Sequence, residues 1–155
     1  MQKILIPMDD SDNAIRAAEF VAKSFNPDNK ITLFNVMLDT AALCKMDSPE
    51  LTPLFKSQQT NFCALEDKKR ELVTQAVDRA KEILLTAGYP ADNITVKVVN
   101  KTHSVAKDII DEAAKGYDLI AMGRRGISGI TEFFLGSTSQ KVFSAAKNIS
   151  VMIVN

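Results

Sequence analysis

The regular exchange of two hydrophobic periods constrains this chain more than any other feature. Short continuous apolar runs occur at Lys3–Met8 (KILIPM), Lys30–Leu38, Asn93–Asn100 (NITVKVVN), Leu119–Met122 and Ser150–Val154 (SVMIV). Apolarity of that length and continuity is what a strand buried on both faces requires. Between these runs the apolar residues recur at helical spacing. Ile15, Ala18, Val21, Ala22 and Phe25 share one face of a predicted helix, with Arg16, Glu19 and Lys23 opposite. Leu65, Leu72, Ala76, Val77, Ala80 and Leu84 mark the buried side of a helix over Phe62–Ala87, ended by Gly88 and Pro90. Val105, Ile109, Ile110 and Ala113 do the same for Val105–Lys115, with Gly116 placed for a left-handed cap. Val142, Phe143, Ala145 and Ala146 precede the last strand at helical spacing. The order β-α-β-α-β-α-β-α-β predicts an α/β fold, an open five-stranded parallel sheet with helices on both faces. The segment Asp39–Asn61, with Pro49 and Pro53, lacks a clear period and reads as a long connection with short helical turns. With 155 residues and no internal repeat or linker, residues 1–155 are expected to form a single domain.

Open parallel sheets bind ligands beyond the carboxyl ends of their strands, where strand order reverses. Two strand ends here carry suitable chemistry: Pro7-Met8-Asp9 after the first, and Gly123 after the fourth. The fourth strand opens onto GRRGISGITEFFLGSTSQ, with glycines at 123, 126, 129 and 136. Ser137 with Gln140 is a capping-box pattern, so a helix is predicted to start there. Its first turn offers unpaired N–H groups and the positive end of the helix dipole. Ser137, Thr138 and Ser139 add hydroxyls, Arg124 and Arg125 add positive charge, and the glycines allow close backbone approach. That is the chemistry of a phosphate cradle. The plainer reading is that the glycines only turn a loop and cap a helix. Asp9 likewise reads as a helix cap or a ligand contact, and Met8, Met37 and Met122 as pocket lining or core filler. Neither common nucleotide fingerprint is present. No Gly-Lys-Ser/Thr triplet occurs, and no G-x-G-x-x-G follows the strand directly.

Lys+Arg and Asp+Glu number 19 each, so a general attraction to nucleic acid or an acidic membrane surface is not expected. The apolar run of MQKILIP is too short for a signal peptide, and no later segment reads as a membrane span. A cytoplasmic location is expected, with no nucleic-acid or membrane partner. Cys44 and Cys63 stand in no metal or redox spacing and read as ordinary reduced side chains. His103, the single histidine, sits in the turn Lys101-Thr102-His103-Ser104 and reads as a surface or capping residue. Asp9, Asp10 and Asp12 do not continue into a calcium-loop spacing, so no metal site is expected. No general base or nucleophile accompanies the cradle, which points to binding rather than fast catalysis.

The spacing Gly123-x2-Gly126-x9-Gly136-Ser137 behind an apolar strand resembles the nucleotide-binding motif of the universal stress protein family, in its ATP-binding branch. The resemblance runs from KILIPMDDS to the terminal SVMIV. It implies the sheet order 3-2-1-4-5 of a Rossmann-like, adenine nucleotide alpha hydrolase-like fold, which makes the first and fourth strands neighbours. It implies that Asp9 lies next to adenine and ribose and that Val36 lies against adenine. It implies that Met122, Gly123 and Gly126 form the ribose and phosphate loop, and that Gly136, Ser137, Thr138 and Ser139 cradle the triphosphate. Pro7, Met8 and Arg125 complete the candidate nucleotide-binding set. The implied ligand is ATP, with Mg2+ carried on its phosphates. The implied protein is a small regulatory, stress-response dimer with at most slow ATP hydrolysis or autophosphorylation, joined through the Ser150–Val154 edge strand and acting on protein partners the sequence does not name. Two positions depart from the family pattern. Asp10 stands where a small residue is common, and the turn 101–104 lacks a glycine. The alternative is a dimeric stress-signalling interaction module that binds no nucleotide and keeps the glycine loop as structure. An adenylate-forming enzyme of the wider superfamily would carry H-x-G-H or S-G-G-x-D-S, and neither occurs.

Overall fold

Alternation along β1 (Lys3–Pro7) sets the layering. Ile4 and Ile6 face one side of the sheet and Leu5 the other, and all three are fully buried. Full burial of each such side chain contributes about 1.5–3 kcal/mol. The computed structural model describes residues 1–124 and 135–155. After β1 come α1 (Asp12–Ser24), β2 (Lys30–Met37), the short α2 (Ala41–Cys44), α3 (Pro53–Thr86), β3 (Ile94–Asn100), α4 (Val105–Ala113), β4 (Leu119–Gly123), α5 (Ser137–Ala145) and β5 (Ser150–Val154). The five strands form one parallel sheet in the order β3-β2-β1-β4-β5, as the resemblance implies. β1 pairs with β2 from Lys3↔Lys30 to Pro7↔Phe34, and with β4 at Ile4↔Leu119 and Leu5↔Ile120. The direction of winding therefore reverses between β1 and β4.

One core layer joins Ile4, Ile6 and Leu33 to Val21 of α1 and to Val77, Ala80 and Leu84 of α3. The other joins Leu5, Phe34 and Ile120 to Ile109 of α4 and Val142 of α5. Ser11, Thr52 and Ser104 cap α1, α3 and α4 by accepting from the N–H three residues on. Gly88 (φ 94°) and Gly116 (φ 95°) take the left-handed conformation after α3 and α4, as the sequence predicts. Among the described residues no helix is long and apolar enough to cross a membrane.

Two expectations are corrected. The second long helix begins at Pro53, not Phe62. Thr52 caps it and Pro53 occupies its first turn, where a missing N–H costs nothing, so this proline starts a helix instead of marking a loop. The earlier start brings α3 alongside α2, and Cys44 and Cys63 are joined in a disulfide with Cα atoms 5.9 Å apart, not reduced. Gln59 reinforces the contact by donating to the carbonyls of Leu43 (2.5 Å) and Met46 (2.9 Å).

α4 is fastened to the sheet by a buried carboxylate. Glu112 accepts from Lys97 of β3 at 2.8 Å and from Lys115 at 2.8 Å, and Tyr117 bridges it to Thr32 of β2. Burial alone would raise the Glu112 carboxyl pKa; the hydrogen bonds and charges of Lys115 and Lys97 outweigh it and hold the group below its ordinary value. A depressed carboxyl contributes stability that is present above its unfolded pKa and lost as pH falls through the folded one. Thermal unfolding followed by circular dichroism is therefore expected to show a midpoint that holds at neutral pH and falls as the pH drops below about 4.3, the ordinary glutamate value. Glu112→Gln is expected to cost about 1–3 kcal/mol at neutral pH and to flatten that acid slope. An unchanged slope would remove Glu112 from the account.

Candidate functional site

The reversal between β1 and β4 opens a cavity of about 410 Å³ at the carboxyl ends of the strands. Pro7, Met8 and Asp9 reach it from β1, Val36 from β2, Met122 and Gly123 from β4, and Gly136, Ser137, Thr138 and Ser139 from the start of α5. Ten candidate residues drawn from four separate stretches of sequence thus line one space. The other two, Arg125 and Gly126, lie outside the described residues.

The α5 end differs from the capping box expected of it. Gly136 is the N-cap, extended at φ −59° and ψ 153°, and Ser137 is the first helical residue. Among the described residues no side chain caps the helix. The Ser139 hydroxyl instead donates to the Gly123 carbonyl (2.9 Å, buried), and the Gly136 N–H donates to the Arg124 carbonyl (2.9 Å). These two bonds fix the first turn of α5 against the end of β4. They commit the Ser139 side chain to structure, and the same first turn brings Ser137 and Thr138 to the cavity.

Gly123 has a packing reason as well. A Cβ there would stand 2.5 Å from the backbone oxygen of Asn13 and 2.6 Å from its carbonyl carbon. The end of β4 meets α1 backbone to backbone, so only glycine fits. The cap reading of Asp9 passes to Ser11, which caps α1; Asp9 accepts from the Ser11 N–H (3.0 Å) and hydroxyl and faces the cavity. Asp10 does not line the cavity. It borders a separate shallow cleft with Leu72, Gln75 and Arg79, between α1 and α3.

Several lining residues escaped the sequence reading. Asn35 of β2 is buried; its amide donates to the Met8 carbonyl at 2.7 Å, while its Oδ1 has no donor among the described residues. Glu66, Lys69, Arg70 and Val73 enter from α3, and Lys101 from the turn after β3. The available signal was a run of polar residues preceding a helical stripe, which looks the same as a solvated face. Phe34, Val105 and Ile109 supply an apolar wall. His103 is exposed, beside Thr102 Oγ1 at 3.1 Å. With Asp108 and Asp111 it offers three possible ligand atoms within 4.8 Å of one another. Asp108, however, already accepts from the Thr102 N–H and hydroxyl and from the His103 N–H, which closes the turn into α4. Burial would raise its carboxyl pKa, but these bonds outweigh it and hold the group below its ordinary value.

The model of the universal stress protein family matches residues 1–155. The chain belongs to that family. A universal stress protein of Thermus aquaticus is 32% identical over 143 residues, covering 92% of this chain and 91% of its own. Among solved structures, a universal stress protein from Lactobacillus plantarum is similar at a TM-score of 0.69 and 23% identity, covering 99% of this chain and 97% of its own. A universal stress protein in complex with cAMP is similar at a TM-score of 0.57 and 22% identity, covering 99% of this chain and 95% of its own. The fold is the adenine nucleotide alpha hydrolase-like arrangement of that family.

The Gly123 contact gives a direct test. Gly123→Ala is expected to lower stability by about 1–3 kcal/mol, because the neighbour it strikes is backbone and cannot rotate away. Denaturant unfolding of the unliganded protein measures it, and a neutral result would mean that α1 and β4 are not packed as described.

Proposed function

We propose that this universal stress protein binds an adenine nucleotide, ATP with Mg2+ on its phosphates, as a regulator and not as a fast enzyme. The observation that carries the reading is the convergence of the β1 end, the β2 end and the uncapped start of α5 on one cavity. Its volume, about 410 Å³, falls in the range of ligand pockets. The apolar surfaces of Phe34, Val36, Val105 and Met122 suit a flat base. Asp9 offers a carboxylate to a ribose hydroxyl or a base amine. The first turn of α5, with Ser137 and Thr138, suits phosphate oxygens. Asp9 and Glu66 are the carboxylates among the described lining residues, and a hard divalent cation held by phosphate oxygens could share either. The lining includes no histidine or cysteine among the described residues, which favours binding with at most slow hydrolysis. The solved relative in complex with cAMP shows that this fold accommodates an adenine nucleotide in that protein.

Protein stripped of nucleotide by denaturation and refolding is expected to bind ATP with Mg2+ in a calorimetric titration. Ser137→Pro removes one amide donor and one hydroxyl at a helix position that tolerates proline. It is expected to weaken binding about a hundredfold, the value of two charge-assisted hydrogen bonds at about 1.5 kcal/mol each, without lowering the melting temperature. No binding by the folded native chain at millimolar ATP would overturn the reading in favour of a nucleotide-free interaction module.

The same reading includes a cytoplasmic homodimer. β5 is an edge strand, with Val151, Met152 and Ile153 half-buried, and an unpaired apolar edge invites a second copy. Light scattering at micromolar concentration is expected to give the mass of two chains, and a monomer would count against the interface.

A further inference from the structure

The buried residues of α3 are Val73, Val77, Ala80 and Leu84, all in its second half. Residues 53–72 bury no side chain, and neither does α2. The wall they form is instead held together by the Cys44–Cys63 disulfide, by two hydrogen bonds from Gln59, and by an exposed Lys56–Asp47 pair at 3.4 Å. This wall borders the cavity. Leu38 lines it just before α2, and Glu66, Lys69 and Arg70 line it within two turns after Cys63. Segments with few buried contacts open at little cost in free energy, so the covalent bond is the principal restraint here.

We propose that Cys44–Cys63 is a redox-responsive clasp on the ligand cavity. Oxidised, it keeps Lys69 and Arg70 against a bound nucleotide; reduced by a dithiol, it frees the α2–α3 wall and the nucleotide exchanges faster. This rests on the nucleotide reading above. Both cysteines are half-buried. A thiolate of the dithiol attacks one of the two sulfurs, forming a mixed disulfide, and the other cysteine leaves as a thiolate. The second thiol of the dithiol then displaces the first cysteine. The protein disulfide gains two electrons and two protons, and the dithiol is oxidised to its disulfide. In the cytoplasm expected for this protein, a disulfide of this kind is transient or redox-sensing.

Two measurements on the full chain, oxidised and after dithiothreitol with thiols counted, test the clasp. Hydrogen exchange of the ligand-free protein is expected to speed up about tenfold or more across residues 53–72 on reduction and to stay unchanged in the core strands. Release of a fluorescent ATP analogue, followed by stopped flow, is expected to speed up about tenfold, the worth of two exposed cations moving away. A Cys44→Ser, Cys63→Ser double variant is expected to release at the fast rate with or without dithiol, and the reduced native protein gives the same comparison without mutation. Unchanged exchange and release on complete reduction, or a bond that does not re-form under a mild oxidant, would overturn the clasp. A retained exchange difference with no nucleotide bound in either redox state would overturn the nucleotide reading and the clasp's hold on a nucleotide, leaving only the redox-controlled opening of the α2–α3 wall.

Discussion

Pairing between β1 and β4 is the constraint on which the rest depends. It brings together residues more than a hundred positions apart, and two bonds at its base hold it. The Lys3 N–H donates to the Asp118 carboxylate at 2.7 Å, and the Asp118 N–H donates to the Lys3 carbonyl at 2.9 Å. From this junction the chain winds outward one way to β2 and β3 and the other way to β5. The loops leaving the carboxyl ends of β1 and β4 therefore diverge, and the cavity between them follows from the topology without any side chain having to create it. Side chains decide what the cavity can hold.

What was legible in the sequence was what burial on both faces makes unambiguous. A strand such as KILIP, sandwiched between two helical layers, cannot tolerate a polar residue at its middle positions, so its period is visible without a structure. The first half of α3 gave no such signal, because a helix with nothing to bury has no stripe, and Pro53 looks alike at a helix start and in a loop. The disulfide was hidden for a related reason: Cys44 lies in the segment without a period, so nothing in the sequence set it against Cys63. The candidate site was legible where chemistry is local, at Asp9 and at Gly136 to Ser139. It was not legible where a distant helix leans over the cavity, as with Lys69 and Arg70.

Gly123 and Ser139 show why a binding motif and a packing motif can share residues. The hydroxyl of Ser139 ties α5 to the last carbonyl of β4, and the absent side chain of Gly123 lets that strand end touch the backbone of α1. Both contacts place the uncapped turn of α5 at the rim of the cavity. A residue that positions a helix start is part of the binding geometry even when no ligand atom touches it.

The length of α3 carries a last consequence. Its 34 residues, at about 1.5 Å each, span about 51 Å. The eight residues of β2, at about 3.3 Å each, span about 26 Å. Roughly half the helix must extend past the sheet, on the cavity side. Selection for folding acts strongly on the half that is packed and only weakly on the half that overhangs. A change in the length of the overhang would leave the core beneath it undisturbed and would alter only the depth of the wall beside the cavity.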